Sequence, residues 1–133
     1  MADALQLTVS ARADSLSLIR LLVGSVASRL DMTLDEMDDL QLAVEELCLP
    51  LLGETSHNEG RLHVHVGWDD DAINVRCELD VDASRPLPTE SRLPEELSQA
   101  ILNALVDEHG HDSANGLSTA WLRKRRRDAT IDS

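Results

Sequence analysis

Two helical periodicities followed by two strand periodicities, each apolar on one side only, leave this chain few ways to fold. Leu16, Ile19, Leu22, Val23, Val26, Ala27 and Leu30 recur at three- and four-residue spacing and draw one broad apolar face on a first helix, with Asp14 as its expected N-cap. Thr33-Leu34-Asp35-Glu36 has the form of a capping box, in which the threonine hydroxyl accepts from the amide of Glu36 and that glutamate reaches back. A second helix follows, with Met37, Leu40, Val44, Leu47 and Leu51 on its inner face. Leu62, Val64, Val66 and Trp68 then alternate with polar residues, as do Ile73, Val75, Cys77 and Leu79, and Asp69 to Ala72 joins the two runs tightly enough for an antiparallel hairpin. Leu5, Leu7, Val9 and Ala11 predict a short first strand, and Leu117, Thr119 and Trp121 a last one. Pro94, Glu95 and Glu96 ahead of Leu97, Ile101, Ala104 and Leu105 predict a third helix that ends near Gly110. Elements with a single apolar face pack most simply as a two-layer α/β sandwich, an α+β arrangement with the helices on one face of a mostly antiparallel sheet.

A chain of 133 residues suffices for one such domain, expected to span 1–133, and is too short for two ordinary ones. With no Phe, no Tyr and only Trp68 and Trp121, its core has to be built from Leu, Val, Ile and Ala. Gly53 to Gly60 and Asp80 to Leu93 are polar, turn-rich stretches without periodicity and read as loops. No run approaches the roughly 18 apolar residues of a membrane span, and Met1 to Leu7 lacks the basic start and apolar stretch of a signal peptide, so a cytoplasmic protein is expected.

Cys48 and Cys77 have no paired spacing and read as reduced core residues. His63 and His65 share one strand face, but no third ligand accompanies them, so no metal site is expected there. The net charge of −13 is unevenly spread, because five of the 12 basic residues lie in Arg123 to Arg127. Such an acidic body repels nucleic acid and membranes and attracts basic protein surfaces. The basic run itself reads as a strand end or solvated tail.

The segment Asp38 to Leu52 carries the chemistry. It sets Glu45 and Glu46 on an otherwise apolar helix and then places Pro50 where the helix should continue. Proline has no N–H for the carbonyl of residue i−4, here Glu46, and its ring crowds that carbonyl, so Pro50 is expected to kink or end the helix.

The string Leu40-x-Leu-Ala-Val-Glu-Glu-x-Cys48 resembles the N-box of the RsbW-like anti-sigma factor serine kinases, which share the Bergerat (GHKL) ATP-binding fold with histidine kinases, gyrase and Hsp90. Ala100 to Glu108 resembles that family's helix after the nucleotide loop, and Ser10 to Leu30 its first helix. The resemblance implies a histidine kinase-like ATPase fold, with Glu46 as a general base toward a serine hydroxyl on an antagonist protein. In the family an asparagine four residues after this glutamate holds Mg²⁺, which suits two side chains on one helix face. Here that position is Pro50, which can hold no metal. The family's Asp-x-Gly-x-Gly, whose aspartate reads the adenine amino group, is replaced by Glu78-Leu-Asp-Val-Asp-Ala-Ser84, leaving Glu78 and Asp80 as the candidates for that cofactor-binding role. No glycine lies in the loop before Pro94 to cradle phosphates.

The resemblance therefore implies an anti-sigma factor that sequesters a sigma factor, is released by an anti-sigma-factor antagonist with a STAS fold, and forms a homodimer. With the nucleotide motifs degenerate, no cofactor is expected. The alternative is a working serine/threonine kinase that uses ATP and Mg²⁺ with Glu46 as base. The exposed side of the first helix, with Ser17, Arg20, Gly24 and Ser28, is a candidate partner surface.

Overall fold

The structure is a computed structural model and describes residues 3–52, 60–80, 95–114 and 117–126. Strand β1 (Asp3–Ser10) leads through a short 3₁₀ turn into helix α1 (Leu16–Arg29) and helix α2 (Leu34–Leu52). Strands β2 (Arg61–Trp68) and β3 (Ala72–Asp80), helix α3 (Glu95–Leu105), and strands β4 (Glu108–Ala114) and β5 (Leu117–Arg125) complete the order. The five strands form one sheet in the order β1-β2-β3-β5-β4, and every neighbouring pair is antiparallel. The helices cover one face, which gives the two-layer α+β sandwich that one-faced elements dictate.

The inner face of the sheet follows from alternation. Leu62, Val64 and Val66 of β2, Val75, Cys77 and Leu79 of β3, and Ala120 and Leu122 of β5 are all buried. Against them pack Ile19, Val23, Val26 and Ala27 from α1, Leu40, Ala43, Val44, Leu47 and Cys48 from α2, and Leu102 from α3. At β1, on the sheet edge, the cover runs out: Leu7 and Val9 are half-buried and Leu5 is 44% exposed.

The helix ends show how local chemistry sets the frame. Helix α1 starts after Ser15 rather than at Asp14, whose carboxylate instead meets Arg12 at 3.1 Å. The 3₁₀ turn at Ala13–Ser15 moves the helix start one residue on, and the Ser15 hydroxyl donates back to the carbonyl of Ser10. The end of α1 is a Schellman motif. Met32 N–H bonds the carbonyl of Ala27, Asp31 N–H bonds that of Ser28, and Asp31 sits between them at φ 57°. The capping box forms as the sequence requires: the amide of Glu36 donates to Thr33 Oγ1 at 3.1 Å, and Glu36 Oε1 accepts from the amide of Thr33 at 2.9 Å.

Three elements depart from expectation. Helix α2 runs through Pro50 to Leu52, because burial of Leu51 and Leu52 anchors the last turn on the core despite the missing backbone bond. Helix α3 ends at Leu105, and Gly110 belongs instead to β4, an edge strand whose Glu-His-Gly-His-Asp-Ser-Ala sequence has no apolar alternation. In β5 the phase is reversed from the expected one: Ala120 and Leu122 line the core, while Trp121 faces outward, 39% exposed, against Gly110. The loop expected after Asp80 and all but the last residue of the one expected from Gly53 to Gly60 lie outside the described residues, as does Pro94.

The described part of the basic run, Arg123 to Arg126, closes strand β5 and continues one residue beyond it. Arg123 lies 3.9 Å from Glu108, Lys124 Nζ donates to the carbonyl of Leu105 at the end of α3, and the Arg126 amide donates to the carbonyl of Asp71. The lysine thus supplies both charge and a donor where a helix C-terminus lacks them.

Candidate functional site

Helix α2 positions Glu46. Its apolar face packs on the sheet, its first half lies against α1, where Gln41 Nε2 donates to the carbonyl of Arg20, and its second half meets α3. Glu46 points at that second junction, half-buried, and its Oε2 accepts a hydrogen bond from Ser98 Oγ of α3 at 2.7 Å. A hydroxyl this close to a carboxylate is the arrangement that general-base chemistry uses, but here the hydroxyl belongs to the chain itself. Ser98 carries no motif, and 52 positions separate it from Glu46, so only the packing of α3 on α2 reveals the pair.

Glu78 and Asp80 lie elsewhere. Between them Leu79 is buried in the core, so both acids point to the opposite, open face of the sheet. There Glu78 lies 3.4 Å from His65 and 3.6 Å from Arg76, and it pairs in register with His63 and Thr119. Glu46 lies on the helical side, across the sheet from both. The same open face holds the two histidines, with His63 Nδ1 3.0 Å from Thr8 Oγ1, and among the described residues no group of three or more His, Cys, Asp or Glu could hold a metal ion.

The set that the resemblance assigns to nucleotide and metal therefore does not come together as one site. Pro50 offers no ligand atom, Glu46 is engaged by Ser98, and the two acids proposed for adenine are separated from Glu46 by the sheet. Among the described residues these side chains do not converge on one metal or nucleotide position, and no chemical step is derived through them.

Cys48 and Cys77 are both buried and reduced, as their sequence setting suggests, and they touch: the sulfurs are 3.3 Å apart. The hydrogen bond with Cys77 holds the Cys48 thiol well above the ordinary thiol range, with burial and the charge of Cys77 acting in the same direction.

Among the described residues, a β-α-α-β-β-α-β-β order with three helices on one face of a five-stranded antiparallel sheet, and an N-box-like acidic helix between α1 and α3, defines a domain of the histidine kinase-like ATPase fold. Its fold matches that in a crystal structure of the RsbU and RsbW domains of a Mycobacterium tuberculosis protein, with a TM-score of 0.71 and 17% identity over 96% of this chain and 34% of that one, so that this chain spans about a third of it. No family model matches the chain. It is 30% identical to the serine-protein kinase RsbW of Bacillus subtilis (strain 168), over 92% of this chain and 86% of that protein. It is also 33% identical to the anti-sigma-F factor RsbW of Mycobacterium tuberculosis (strain H37Rv), over 79% of this chain and 59% of that one. The chain belongs to the RsbW family.

Proposed function

We propose that this protein is an anti-sigma factor that binds and sequesters a sigma factor by surface contact, without ATP chemistry, and gives it up to a STAS-fold antagonist that competes for it. The observation that carries this reading is the dispersal of the nucleotide residues in a chain that keeps the family's fold: Glu46 bonded to Ser98, proline at position 50, and Glu78 and Asp80 on the far face of the sheet. The relatives named as anti-sigma factors support the choice of partner. So does a net charge of −13, which suits the basic surfaces a sigma factor presents to DNA.

Helix α1 supplies a surface for such a partner. Ser17, Arg20 and Ser28 are exposed, and beside them Leu18 and Leu21 are 52% and 67% exposed, whereas Gly24 is half-covered by Gln41. A homodimer would use β1, the sheet edge whose inner face the helices leave partly open at Leu5. Among the described residues no helix is long and apolar enough to cross a membrane.

The deciding experiment is calorimetric titration with ATP and Mg²⁺, followed by co-elution with candidate sigma factors. No heat up to millimolar nucleotide, together with a stable sigma complex, is the expected result. Micromolar nucleotide binding would instead favour the kinase reading, which retention of Glu46 and the serine-protein kinase relatives support, and would call for a phosphorylation assay on the antagonist.

A further inference from the structure

Neither Cys48 nor Cys77 enters the proposed function, and each has 0% exposure. They come from different layers, α2 and β3, and from positions 29 apart in the chain, yet their sulfurs lie in contact at 3.3 Å. Two thiols in contact differ chemically from two isolated core thiols, since each is the nearest nucleophile for the other once one sulfur is oxidised. A disulfide bond is about 2.05 Å long, so closing this pair takes an approach of roughly 1 Å between the two sulfurs.

Pro50 supplies no N–H to the carbonyl of Glu46, so the turn next to Cys48 is held by burial of Leu51 and Leu52 with one backbone bond fewer than usual.

We propose that Cys48 and Cys77 form a peroxide-responsive dithiol whose oxidised product is an intrachain disulfide tying α2 to β3. In the first step a thiolate sulfur attacks one peroxide oxygen and the O–O bond breaks. The sulfur becomes a sulfenic acid, and the departing hydroxide takes the proton the thiol has shed, leaving as water. In the second step the other sulfur attacks the sulfenic sulfur, the S–O bond breaks as the S–S bond forms, and the hydroxide leaves with the second thiol proton as a second water. The two sulfurs lose two electrons in total and the peroxide gains them; a small-molecule dithiol reverses the change. Because the hydrogen bond with Cys77, together with burial, suppresses ionisation of Cys48, the reaction proceeds from transiently opened states of the core and is slower than that of an exposed thiol.

The test uses the full wild-type chain. Folded protein is treated with hydrogen peroxide, quenched with catalase, denatured, alkylated and mapped by peptide mass spectrometry, alongside a sample oxidised in denaturing urea. The expected result is loss of both of the two alkylatable thiols, a Cys48 peptide linked to a Cys77 peptide within one chain, and recovery of both thiols with dithiothreitol. In Cys77→Ala the link is absent and Cys48 alone is alkylated or carries oxygen. The proposal is overturned if both thiols of the folded protein remain alkylatable while glutathione in the same tube is oxidised. It is equally overturned if the link forms only between chains, or only in urea.

Discussion

Ser98 of α3 donates its hydroxyl to the carboxylate of Glu46 of α2 across 2.7 Å, and this bond joins the two helices at the place where the family resemblance locates a general base. An acid engaged in this way is part of the scaffold, which changes what its removal should do.

Ser98→Ala and Glu46→Ala should each lower stability by about 1 kcal/mol, the scale of a partly exposed hydrogen bond to a charged group. The double variant should lose less than the sum of the two, because both remove one interaction. Urea unfolding of the four proteins measures this. Sigma binding by Glu46→Ala should stay within a few-fold of wild type, and a lost complex with intact fold would place Glu46 in the interface.

Pro50 lies inside α2 and deprives the Glu46 carbonyl of its helical partner. Pro50→Ala should therefore raise stability by about 1 kcal/mol, less than the roughly 3 kcal/mol of a mid-helix proline, because position 50 is in the last turn. Pro50→Asn should restore no ATP turnover, since Glu78 and Asp80 still face away. Kinase activity in that single variant would show that the other departures were misread.

Asp31 occupies the left-handed position of the Schellman motif at φ 57°. Glycine adopts this conformation without the clash of a Cβ, so Asp31→Gly should stabilise the protein by about 0.5 to 1 kcal/mol. At the other side of the same turn, Thr33→Ala removes the acceptor for the Glu36 amide and should cost about 1 kcal/mol. Thermal or urea unfolding of the two variants should show shifts of opposite sign.

Asp69 closes the β2–β3 hairpin: its Oδ1 accepts from the amides of Asp71 at 2.7 Å and Ala72 at 3.0 Å, and these bonds hold its carboxyl below the ordinary range. A carboxyl lowered in the folded state contributes stability above its unfolded value, near 3.9, and loses it as pH falls through the folded value. Asp69→Ala should therefore have the lower urea midpoint at neutral pH, and the two proteins should converge as acid is added. Parallel curves would rule out this carboxylate as a source of the pH dependence.

Much of the frame was legible because it rests on near-neighbour chemistry. The capping box at Thr33 and Glu36 has both partners within one turn, and the hairpin at Asp69 is set by adjacent residues. Strand β4 was not legible, since this edge strand meets α3 through a polar contact, His109 to Asn103 at 2.7 Å, rather than through an apolar face, and is held by its backbone ladder to β5. Trp121 misled for a related reason: one large aromatic outweighed Ala120 and Leu122 in the pattern, yet Gly110 on the neighbouring strand leaves room for its ring on the outer face.

The sequence by itself determined the two-layer sandwich, the limits of α1 and α2 to within a residue or two, and the missing backbone donor at Pro50, because periodicity, caps and residue identity act locally. Only the tertiary structure decided which acids could meet. It paired Glu46 with Ser98, turned Glu78 and Asp80 to the open face, and brought Cys48 against Cys77. Those relations depend on how α2 and α3 pack on one another and on the sheet, and on which face of β3 turns inward. Burial settles both over the whole chain at once.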